Sequence, residues 1–153
     1  DDWYFVHLPN RCPRAYGSEK NFYIDADIGE IWPEYRPLVD QTTFDERGRA
    51  IANVRWTVGL DGVIPITTMH QIILLKRDPD DEVLVRSMST DEALEYLIKN
   101  NFCNPHQLVR NERKLSIRKQ FFRKYLESCE VHMVNTTAPA EQTQEIIRRI
   151  VFP

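Results

Sequence analysis

Two adjacent carboxylates at the edge of a strand can hold a hard divalent cation and assist a proton acceptor, because Mg²⁺ prefers oxygen ligands. Asp1-Asp2 has that form, directly ahead of the aromatic and β-branched run Trp3-Tyr4-Phe5-Val6-His7-Leu8. A bare pair recurs by chance and needs further ligands to hold an ion. Asp80-Asp81 is another such pair and reads as a hairpin tip. The four histidines (His7, His70, His106 and His132) show no i, i+4 pairing; a site among His70, Arg77 and His132 stays open on proximity alone. Three cysteines (Cys12, Cys103 and Cys129) lack CxxC spacing, so neither a disulfide framework nor a zinc knuckle is indicated, and a reducing cytoplasm is the default location. No GxSxG elbow occurs. The five glycines form neither GxGxxG nor GxxxxGK[ST], so this chain has no nucleotide-phosphate loop of its own.

Charge is unevenly placed. The net charge of −3 argues against general nucleic-acid binding. From Asp25 to Glu46 there are seven acids against Arg36, whereas Arg110 to Lys124 holds seven bases against Glu112. Such polarity can steer an anion, although two solvated faces are the commoner outcome. Phe121, Phe122 and Tyr125, interleaved with the bases, read as core groups rather than base-stacking ones.

The elements that must position these groups follow from periodicity. Beyond the first strand, residues 9–17 read as a loop, residues 21–25 as a short strand, and Pro33 and Pro37 limit residues 28–39 to short helical turns. Asp45-Glu46-Arg47-Gly48 is a turn, and alternation of Ala52, Val54, Trp56 and Val58 predicts a half-buried strand. Residues 69–76 and 83–88 are strands joined through Asp78-Pro79-Asp80-Asp81 as a hairpin. Ser89-Thr90-Asp91-Glu92 is a capping box for a helix with Ala93, Leu94, Leu97 and Ile98 as its stripe. A second helix spans about 112–129, a strand 130–135, and a last helix begins near Pro139 with Thr137 as cap. The fold class is α/β, with one mixed sheet of about five to six strands and helices concentrated in the C-terminal half. At 153 residues this suits a single domain. The longest apolar run, Ile72 to Leu75, is far short of a membrane span.

Several short signals occur in a specific order: Asp1-Asp2-Trp3, Ser18-Glu19-Lys20 leading into Phe22-Tyr23-Ile24, Ala52-Asn53-Val54, Ile64-Pro65-Ile66, the strand from His70 to Arg77-Asp78, and Asn104-Pro105. This order resembles the C-terminal half of the kinase core shared by HPr kinase/phosphorylase and phosphoenolpyruvate carboxykinase, and more closely that of their bacterial carboxykinase-like relatives. It implies that residues 1–153, if they are not a single domain, are the C-terminal portion of a larger nucleotide-binding kinase domain. The resemblance implies an ATP- and Mg²⁺-dependent phosphotransferase acting on an unknown phosphoryl acceptor. In it Asp1 and Asp2 would serve the metal and the attacking group. Ser18, Glu19 and Lys20 would lie toward the acceptor, with Lys20 a phosphate contact. Arg55 and Arg77 could neutralise charge, though neither matches a named family residue. Two departures weigh against specific members: Gly62-Val63 stands before Ile64-Pro65-Ile66 where carboxykinases carry an arginine, and the downstream signature of HPr kinases is missing. Because the family's P-loop precedes its aspartates, the chain should be inactive by itself, as a fragment. The alternative is a non-catalytic α/β module engaging a protein or anionic partner through the basic helix 110–124. A homo-oligomer is compatible with either.

Overall fold

The computed structural model describes residues 4–17, 21–53, 55, 59–103 and 111–153. The chain divides into two units, one formed by Asp1–His7 and Arg14–Thr68 and the other by Leu8–Pro13 and Met69–Pro153.

The first unit carries two three-stranded antiparallel sheets. In one, β1 (Tyr4–His7) pairs with β2 (Arg14–Gly17), which pairs in turn with β6 (Ile66–Thr68). In the other, β5 (Ala50–Asn53) lies between β3 (Asn21–Ile24) and β4 (Thr43–Phe44). Ala50 and Ala52 point the same way from β5 and are fully buried, while Val39 is buried on α2 (Arg36–Asp40), which packs on that strand. Alanines let the helix approach closely. Before α2 come α1 (Ile28–Ile31) and a 3-10 turn over Pro33–Tyr35, the broken helical stretch that the two prolines predict. A Cβ on Gly29 would sit 2.9 Å from the Arg36 Cα, so only glycine fits where these turns meet. The β4–β5 turn is held by Asp45, whose Oδ1 accepts from the Arg47 and Arg49 backbone N–H groups, both at 2.9 Å. Gly48 takes the left-handed conformation there, with φ of +75°.

The second unit holds a mixed sheet in which β9 (Glu130–Asn135) is central. It runs parallel to β7 (Gln71–Lys76) and antiparallel to β8 (Val85–Ser87). Between β8 and β9 come α3 (Thr90–Lys99) and α4 (Glu112–Leu126), and α5 (Ala140–Val151) follows β9. One face of the sheet supplies Leu74, Met88, Val131 and Met133 to a core completed by Leu94, Leu97, Phe102 and Leu126. Phe102 sits in a left-handed turn, Asn101–Cys103, with its ring stacked on Phe122 at 5.0 Å. Each non-glycine residue in that conformation costs roughly 1–2 kcal/mol. Burial of the Phe102 ring, worth about 1.5–3 kcal/mol, offsets part of it. The capping box forms as expected: Glu92 N donates to Ser89 Oγ and Ser89 N to Glu92 Oε2.

Several expectations are corrected. Among the described residues the strands do not join one sheet of five to six members but form three sheets of three. The three longer helices do fall in the C-terminal half. Residues 14–17, read as loop, are β2, because a strand on each side offers their backbone a ladder. Strands β7 and β8 make no hairpin, since β9 separates them. Thr137 does not cap α5; the N-cap position is Pro139, with no side-chain cap. Of the predicted 51–58 strand, β5 accounts for residues up to Asn53, and Val54 and residues 56–58 lie outside the described residues.

Candidate functional site

Asp1, Asp2, Ser18, Glu19 and Lys20 lie outside the described residues. The described residues nearest to them in sequence are Tyr4, Gly17 and Asn21. Tyr4 and Gly17 are cross-strand partners at one end of the β1–β2 pair. At that end Gly17 N donates to Pro65 O at 3.1 Å, which brings in the Ile64-Pro65-Ile66 segment; Ile66 pairs with Tyr16. Asn21 begins β3 opposite Asn53, and Phe22 lies opposite Ala52. Arg55 is exposed; its backbone N–H donates to Asn53 Oδ1 at 3.1 Å, and among the described residues its guanidinium has no ion-pair partner. Beside Asn53 opens a cleft of about 250 Å³ walled by α2.

Arg77 belongs to the second unit and is also exposed. His70 precedes β7 and Arg77 follows it, so a strand of six residues, roughly 20 Å long, holds them apart. His132 pairs with Ile73 in the middle of that strand. These three therefore form no common site. The His132 Nε2 is buried, 3.9 Å from Glu130 Oε2 and without a hydrogen-bond partner among the described residues.

Polar groups do converge where the parallel strands end. Lys76 Nζ contacts Asp81 Oδ2 and lies 3.2 Å from Asp78 Oδ2. The hydrogen bond to Asp81 raises the Lys76 pKa, and the same bond lowers that of Asp81. Asn135, 1% exposed, ends β9 beneath this turn. Its Oδ1 accepts from Asp78 N at 2.9 Å, and its Nδ2 donates to Asp78 O at 2.8 Å and Asp81 O at 2.7 Å. Carboxyl ends of parallel strands are where α/β sheets commonly bind ligands. Here the groups saturate one another and so secure the turn. Sequence reading placed Asn135 on the strand without a role; the signal was an amide closing an apolar strand, followed by threonines. Among the described residues, no group of three or more His, Cys, Asp or Glu side chains is arranged to hold a metal ion, and no helix is long and apolar enough to cross a membrane.

Helix α4 carries the basic segment except Arg110, which lies outside the described residues. At 100° per residue, Arg118 lies on the same stripe as Phe122 and Tyr125, Lys114 falls just outside it, and Lys119 and Arg123 flank the other side beside Leu126. Arg113 and Lys124 point opposite the seam. Arg123 is engaged with Asp91 at 2.8 Å. The bases surround the helix rather than forming one stripe, as expected of long cationic side chains whose stems cover apolar neighbours. A cleft of about 320 Å³ lies between Phe102 and the first turns of α4, with Ile98, Leu115 and Arg118 in its wall.

In comparisons with known proteins, no family model, no curated protein and no solved structure matches the chain.

Proposed function

We propose that this chain is part of an ATP- and Mg²⁺-dependent phosphotransferase of the kind shared by HPr kinase/phosphorylase and phosphoenolpyruvate carboxykinase. The observation that supports it most is the pairing of Tyr4, which follows Asp1-Asp2-Trp3 in sequence, with Gly17, which precedes Ser18-Glu19-Lys20. The register of Asn21 with Asn53 and the bond from Gly17 to Pro65 add two more of the ordered sequence signals to the same unit. On this reading Asp1 and Asp2 hold Mg²⁺ and assist the attacking group. Ser18, Glu19 and Lys20 meet the acceptor, and Arg55 offers a cation to the transferred phosphoryl, where positioning and charge neutralisation supply most of the catalysis. Without a phosphate-binding loop the chain alone should not bind nucleotide.

Two measurements test this. Titrating Mg·ATP into the chain should give no saturable heat; a micromolar Kd overturns the view that the phosphate cradle is supplied from elsewhere. The gene should encode GxxxxGK[ST] after a strand within roughly 100 residues upstream of Asp1, a half-domain's length, and the reading fails if it does not. In the protein carrying that loop, Asp2→Asn should abolish Mg²⁺-dependent phosphoryl transfer.

A second reading, a module that grips an anionic partner through the basic helix, is favoured by the exposure of Arg113, Lys114 and Lys124. It requires affinity that falls steeply with salt in proportion to the charges neutralised.

A further inference from the structure

Two buried polar atoms of the second unit, the Gln71 Oε1 and the His132 Nε2, have no hydrogen-bond partner among the described residues. They share one face of the mixed sheet. Ile72 and Leu74 of β7, with Val131 and Met133 of β9, turn toward the helical core. By the two-residue period of a strand, Gln71, Glu130 and His132 therefore stand on the opposite face. The register sets Gln71 directly across from Glu130, at the strand spacing of about 4.8 Å, and His132 follows Glu130 on the same side of β9. One corner of this face, at the start of the parallel strands, thus collects an amide, a carboxylate and an imidazole.

The two orphaned atoms want the same kind of partner. An amide oxygen offers only lone pairs, and a neutral imidazole keeps the lone pair of one nitrogen free. Burying such groups unmet is costly. Glu130 Oε2 adds a third electron-pair donor 3.9 Å from His132 Nε2, and among the described residues Glu130 has no other ion-pair partner. The bases on these strands are engaged elsewhere, Arg86 with Glu92 at 3.1 Å and Lys76 with Asp81. Two ligands of one tetrahedral zinc ion, each bonded at about 2.0–2.1 Å, stand roughly 3.4 Å apart. The Glu130 side chain is 76% exposed, so a small rotation closes the difference. Imidazole with oxygen donors suits zinc and its neighbours rather than a hard cation.

We infer that Gln71, Glu130 and His132 form a site for a divalent transition-metal ion of the zinc class, with water completing its coordination. This stands apart from the phosphotransfer reading, whose Mg²⁺ would be held by Asp1 and Asp2.

Long-range ¹H–¹⁵N NMR of the histidine rings, with zinc chloride titrated into the untagged chain, tests it. Zn²⁺ should shift the His132 ring nitrogens saturably with a Kd of about 10 µM, weaker than four-ligand structural sites. Mg²⁺ should leave them unmoved, because it prefers oxygen ligands alone. Glu130→Gln and Gln71→Leu should each weaken Zn²⁺ binding at least about tenfold, the least that even outer-shell changes cost. His70→Ala, an exposed histidine just before β7, should leave the affinity within about twofold. The inference is overturned if His132 fails to saturate below about 1 mM Zn²⁺. It is equally overturned if Mg²⁺ moves the same signals, if Glu130→Gln binds as tightly as the parent, or if His70→Ala weakens binding as much as Glu130→Gln. The amide spectra of the same samples report whether each variant is folded.

Discussion

Replacing Asn135 with alanine should destabilise the second unit far more than its size suggests. The substitution deletes three hydrogen bonds, of 2.9, 2.8 and 2.7 Å, to the backbone of Asp78 and Asp81. Each such bond contributes about 1 kcal/mol net. The three backbone groups left behind then need new partners, and a buried orphan costs about 1–3 kcal/mol. Asp78 and Asp81 are part-exposed, so water can serve some of these groups and the lower end applies. The sum is about 3 kcal/mol. Urea unfolding followed by far-UV circular dichroism reads it, because the three longer helices all lie in the second unit. With a slope of about 1–3 kcal/mol per molar, the midpoint should fall by at least about 1 M. Tryptophan fluorescence is a separate reading of the first unit, since Trp3, Trp32 and Trp56 fall within its residue range. A loss below about 1 kcal/mol in the helical transition would show that the turn holds itself and refute this reasoning.

Four further outcomes follow from the same structure. The Lys76 bond lowers the pKa of Asp81 from its ordinary 3.8, so its stabilisation is complete above that value and disappears as pH falls through the lower folded value; Asp81→Asn should flatten the acid limb of a stability-against-pH curve there. Conversely, the raised Lys76 pKa means its contribution is present below 10.5 and is lost as pH rises through the higher folded value, an alkaline limb that Lys76→Met should remove. Ser89→Ala should cost about 1 kcal/mol in urea unfolding by deleting the cap of α3. Leu126→Ala, at a position 2% exposed in the core, should cost about 2–5 kcal/mol in the same assay.

What could be read from the residues alone was local. Ser89 and Glu92 sit three apart and satisfy each other whatever lies around them, so the α3 start was legible. The same holds for Gly48, which the tight turn after Asp45 demands, and for β9, whose bounds agree with the sequence reading. Strand partnership was not legible, because Val85 and Leu75 carry no mark saying that Val134 will stand between them. Hence one hairpin was read where a third strand intervenes. Residues 14–17 lacked a strand signature, because Arg14 and Gly17 are poor strand formers whose conformation is set by two partners. For the proposed site, the β3–β5 ladder sets Phe22-Tyr23-Ile24 beside Ala52 and Asn21 beside Asn53 in the first unit, a pairing that no local pattern announces. The cleft beside Asn53 escaped notice because Glu34 and Asn53 are 19 positions apart and meet through α2 packing on β5.

The central position of β9 has a consequence for synthesis on the ribosome. Thr136 closes its bond to Lys76 across 60 residues, so the earlier strands of that sheet emerge with no partner and wait while both intervening helices are made. Until residue 135 clears the exit tunnel, β7 and β8 expose unpaired backbone, and Leu75 and Val85 add apolar surface to those edges. A chain stopped at Cys129 would keep α3 and α4 yet lack the strand that makes them a domain. Such nascent products are the form of this protein most prone to aggregate, and the one most in need of a chaperone.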